Sequence, residues 1–65
     1  MRNSLRELRV AWGWTQAELG ERLGVSRQAI IALESERHDP SLDLAYRIAA
    51  LFGEAVEAIF ENPHA

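Results

Sequence analysis

Between Gln16 and Leu33 two stretches of helix-period apolar residues stand only three residues apart, with Gly24-Val25-Ser26 between them. Apolar side chains spaced three and four apart mark one face of a helix; here they are Leu19 and Leu23, then Ile30 and Leu33. So short a connection lets both faces share a core only if the chain turns sharply. Gly24 suits the left-handed backbone that such a turn needs. Val25 is set to plug the angle. Gly20 and Ala29 are small where two helices crossing at roughly 90–120° come close.

The same period runs through the rest of the chain, and no stretch alternates with period two. Ser4-Leu5-Arg6-Glu7 and Thr15-Gln16-Ala17-Glu18 both read as capping boxes, in which a hydroxyl caps the helix start and a glutamate reaches back. The first helix carries Leu5, Leu8 and Trp12 on one face and ends at Gly13. Ser26 caps a third helix, from Arg27 to about Ser35. A polar loop with Pro40 leads to a fourth helix, Leu42 to Phe52, whose apolar set is Leu44, Ala45, Ile48, Leu51 and Phe52. Gly53 stops it, and Ala55 to Phe60 predicts a short fifth helix or helical turn. The expected fold class is all-α.

Sixty-five residues make one domain, 1–65, with a marginal core and no cysteine to staple it. Association with a partner is therefore an expected source of stability. No run approaches the ~20 apolar residues of a membrane span, and Met1-Arg2-Asn3-Ser4 leads into no secretory segment, so the expected location is cytoplasmic, off the membrane. There is no cysteine nucleophile and no phosphate-cradling glycine loop. His38 and His64 lack metal-ligand spacing. No enzyme, metal, cofactor or small-molecule effector is expected. The net charge of −3 divides unevenly: residues 1–37 carry six Arg and five Glu, for +1, while residues 38–65 carry Arg47 against Asp39, Asp43, Glu54, Glu57 and Glu61, for −4. The front half is where a polyanion can dock.

The run from Gln16 to Leu33 resembles a helix-turn-helix. With Gly13-Trp14-Thr15-Gln16 before it and Asp39-Pro40-Ser41-Leu42 after it, nearly the whole chain resembles the Cro/C1-type (XRE) family of repressors, its short stand-alone members in particular. The resemblance implies a compact, five-helix, lambda-repressor-like DNA-binding domain, and a sequence-specific regulator of transcription, most simply a repressor.

Helix geometry places Ile30, Leu33 and Glu34 inward, leaving Gln28, Ile31, Ala32 and Ser35 outward and Arg27 at the exposed first turn. The resemblance makes this the recognition helix in the major groove of double-stranded DNA. Arg27 then suits guanine O6 and N7, Gln28 suits adenine, Ile31 a thymine methyl, and Ala32 permits close approach; for Arg27 a phosphate contact is the alternative. Gln16, Ser26, Ser35 and Arg37 are expected on phosphates. Glu36 departs from the family, which usually has glycine there, and brings an anion near the DNA backbone. Arg9 and Glu34 match a structural ion pair of the family. Trp12 and Trp14 are expected to pack, not to stack on bases.

The resemblance also implies a homodimer, with residues 54–65 contributing the contact. Val56, Ile59 and Phe60 supply more apolar surface than the fourth helix needs and are the expected interface. A two-fold dimer presents two recognition helices ~34 Å apart, so the operator is expected to be an inverted repeat. The alternative is an antitoxin-like module that masks a partner protein.

Overall fold

Three helices start on a hydroxyl that accepts a backbone hydrogen bond two or three residues ahead, which satisfies donors left orphaned at a helix start. In the computed structural model, which describes residues 1–65, Thr15 caps α2 (Gln16–Leu23), Ser26 caps α3 (Arg27–Glu34) and Ser41 caps α4 (Leu42–Phe52). Their Oγ atoms accept from the N–H groups of Glu18, Ala29 and Leu44 at 3.0, 3.1 and 3.1 Å. At Thr15 the capping box is complete, since Glu18 Oε1 accepts from the Thr15 N–H at 3.0 Å. The remaining helices are α1 (Leu5–Ala11) and the single turn α5 (Val56–Ile59).

The angle between α2 and α3 follows from two glycines. Gly24 closes α2 with φ +72°, a conformation that side chains rarely adopt. At Gly20 a Cβ would lie 2.7 Å from the Val25 carbonyl oxygen, so only glycine lets the turn fold back this tightly. Leu5, Leu19, Leu23, Ile30, Leu33, Leu44, Ala45, Ile48, Phe52, Ile59 and Phe60 form one core, with Leu8, Trp14, Val25, Leu51 and Val56 packed on its edge. Trp12 and Trp14 pack with Phe52, their ring centroids 5.6 Å from its centroid.

One expectation needs correction. Ser4 makes no side-chain cap. Its backbone is held instead by its own N–H donating to the Ile59 carbonyl at 2.9 Å, and Asn3 takes over, its Oδ1 accepting from the Leu5 N–H at 3.1 Å. The same pairing buries residues expected at a dimer interface. Asn3 and Phe60 form an antiparallel bridge, and the Glu61 N–H donates to the Arg2 carbonyl at 2.8 Å. Ile59 and Phe60 are thereby folded under the N-terminal arm, 2% and 3% exposed, and belong to the core of a single chain. Val56 is half-buried. The fifth element is the expected helical turn, Val56–Ile59, between Ala55, which offers no side-chain cap, and the extended Phe60.

Candidate nucleic-acid interface

The outer side of α3 separates two surface depressions. Ile31 and Ser35 border one, together with Arg6 and Arg9 of α1, Gln16 of α2 and Glu34. Gln28 and Ala32 border the other, together with Ser26 and with His38, Asp39, Pro40 and Ser41 of the loop into α4. Arg27 and Gln28 are exposed, whereas Ile31 and Ala32 are half-buried by these flanks.

The pose of α3 is fixed from its α1 flank. Arg9 Nε donates to Glu34 Oε2 at 2.7 Å and Arg9 Nη2 donates to Glu34 Oε1 at 3.1 Å, a bidentate pair with both side chains largely buried. Arg9 Nη1 donates to the Trp14 carbonyl at 2.9 Å, which ties α1 to the approach to α2. Gln16 Nε2 adds a third bond to Glu34, at 3.2 Å to Oε1. Glu34 is thus compensated, and its hydrogen bonds hold the Arg9 guanidinium above its ordinary range. Asn3 secures the same helix end, its Nδ2 donating to the Leu33 carbonyl at 2.9 Å. Nothing in the local sequence around Asn3 signals that role, since its partner lies 30 residues away.

The residues expected on phosphates differ in what they have left to offer. Ser26 Oγ accepts from Ala29, and its own proton has no partner within the chain. Gln16 is half-buried against Glu34 and keeps its second N–H. Ser35 Oγ donates to the Ala32 carbonyl at 3.2 Å and accepts from Arg37 Nε at 3.1 Å, so its proton is already engaged. Arg37 is exposed and its terminal guanidinium nitrogens point to no carboxylate within 4 Å. Between them Glu36 holds φ +64°, the left-handed conformation that glycine supplies at low cost. The turn keeps the glycine-type backbone with a glutamate side chain attached.

Arginine pairing gives the site its sign. Arg2 pairs with Glu61, Arg9 with Glu34 and Arg47 with Asp43. Arg22 lies over the Trp14 ring, 4.2 Å from its centroid. The three left without carboxylate or ring are Arg6, Arg27 and Arg37, all exposed. The lack of a partner at Arg6 emerges only from the pairing of the other arginines.

A sequence profile described as helix-turn-helix matches residues 5–59. The chain is 57% identical over 61 residues to an uncharacterized HTH-type transcriptional regulator of Methanothermobacter thermautotrophicus, covering 92% of this chain and 88% of that protein. It is 50% identical over 60 residues to another such regulator, of Methanocaldococcus jannaschii, covering 92% and 91%. A crystal structure of a hypothetical transcription factor from Neisseria superposes with a TM-score of 0.76 at 33% identity, over 85% of this chain; the chain spans 62% of that protein's length.

Proposed function

The chain belongs to the helix-turn-helix family of transcriptional regulators, a DNA-binding and non-enzymatic class, and from that premise we propose that it is a homodimeric repressor that reads an inverted-repeat operator through the major groove and acts in the cytoplasm. The observation that supports base reading is the exposed pair Arg27 and Gln28 at the first turn of α3, on a helix fixed at its far end by the compensated Glu34. Arg27 has its full fork free for guanine, and Gln28 has both amide groups free for adenine. Ile31 and Ala32 line the helix beside them and set how closely it approaches. Ser26, Gln16 and Arg37 hold the backbone.

In this reading the dimer is two-fold, and its contact lies outside the buried Ile59 and Phe60. Leu42 and Tyr46, four residues apart on one face of α4, are 69% and 61% exposed. They and the half-buried Val56 supply apolar surface that a second copy covers. Of the acidic residues of the back half, Asp39 borders the α3 flank, where the Met1 ammonium pairs with it at 3.0 Å.

Selection of binding sites from random duplex DNA tests the function. The expected result is an inverted repeat whose half-sites are centred about one helical turn apart. Recovery of no enriched sequence overturns it.

A further inference from the structure

The depression between α1, α2 and α3 carries a charge that the mechanism above does not use. Of the charged groups around it, Arg9 and Glu34 neutralise each other through two hydrogen bonds. Arg6 is left, exposed on α1, with no carboxylate within 4 Å. The depression therefore holds one uncompensated positive charge, next to the remaining N–H of Gln16 and beside Ile31.

The size of the groove says what comes to rest there. A helix with its side chains is ~10–12 Å across, and the major groove is ~12 Å wide. A helix that fills the groove brings the bounding phosphates against whatever flanks it. On the Gln28 and Ala32 side the flank is the loop into α4. On the Ile31 side the flank is α1 with the start of α2. Resting on the proposed reading of α3 as the helix in the groove, we propose that Arg6 is a DNA-backbone contact, and that Arg6 and Gln16 together seat one phosphate in this depression. Guanidinium is suited to this, since its fork matches phosphate oxygens. Helix α1 then takes part in the interface as well as supporting it.

The test compares wild type, Arg6→Gln and Arg6→Lys on two probes, a duplex selected by the wild type and a random duplex of equal length, across salt concentrations. Each lost phosphate contact reduces the log–log salt slope by about 0.9, which corresponds to roughly an eightfold loss of affinity per protomer at 0.1 M salt. Arg6→Gln is expected to show that loss on both probes, with unchanged thermal unfolding, and Arg6→Lys to recover most of the affinity. An unchanged slope in Arg6→Gln, with wild type still binding its selected duplex, overturns the Arg6 assignment alone. A loss confined to the selected duplex also overturns it, by making Arg6 a base reader. If wild type itself selects no duplex, the reading of α3 fails first.

Discussion

Arg9 and Glu34 form two parallel hydrogen bonds, Nε to Oε2 and Nη2 to Oε1, with their side chains only 12% and 5% exposed. The pair joins the last turn of α1 to the last residue of α3, so the pose of α3 depends on it. Removing one partner of such a pair leaves a buried charge uncompensated, at a cost of ~3–5 kcal/mol. A chain of this length has only ~3–10 kcal/mol of stability in total. Arg9→Met is therefore expected to lose a large share of it in urea unfolding, and Arg9→Met with Glu34→Leu to regain most of the loss. The raised Arg9 ionisation adds no acid-side dependence. A group whose folded value is raised keeps its contribution at every pH below its ordinary range.

The start of α2 contributes acid sensitivity. The Glu18 carboxylate is held below its usual range by the Thr15 backbone N–H and then by the Thr15 hydroxyl. A depressed folded value means a contribution present above the ordinary carboxylate range and lost as pH falls through the folded one. Glu18→Gln is expected to flatten the acid limb of a stability profile measured between neutral pH and pH 3. Thr15→Ala, which removes the cap itself, is expected to cost about 1 kcal/mol.

Much of this was legible in the sequence because the deciding contacts are local. Thr15, Ser26 and Ser41 cap helices whose first turns follow them at once, and Gly24 turns the chain within its own loop. What was not legible depends on residues far along the chain. Ser4 looks like a cap and Asn3 does not, and the exchange between them is set by pairing with Ile59 and Phe60. That pairing also turns an apparent surplus of apolar residues at the end of the chain into core. Arg6 is one arginine among seven until the partners of the others are known.

Glu36 combines backbone strain with an anion that the proposed reading sets near the DNA backbone. A side chain in the left-handed region costs roughly 1–2 kcal/mol, and here the side chain is an anion next to Arg37. Glu36→Gly is expected to stabilise the fold by about 1 kcal/mol and to tighten DNA binding. Glu36→Gln, which removes the charge and keeps the strain, is expected to tighten binding without the gain in stability. Thermal unfolding together with a binding titration separates the two effects.

The two apolar sets at the back of the molecule should respond oppositely. Ile59→Asp buries an unpaired carboxylate and is expected to unfold the chain. Leu42→Asp alters an exposed side chain on α4. It is expected to leave far-UV circular dichroism unchanged while shifting sedimentation toward the monomer and weakening binding to paired half-sites. A Leu42→Asp protein that remains dimeric removes α4 from the interface.

In the proposed function the exposed start of α3 reads bases. This is tested most directly by measuring the affinity of wild type and Arg27→Ala for the selected duplex and for a random duplex at one fixed salt concentration. Arg27→Ala is expected to lose ~1–3 kcal/mol on the selected duplex for each base contact, to relax preference at one base pair per half-site, and to change little on random DNA. Gln28→Ala should behave likewise, while Arg37→Ala weakens both probes alike. Equal losses on the two duplexes for Arg27→Ala would mean that Arg27 reads no base.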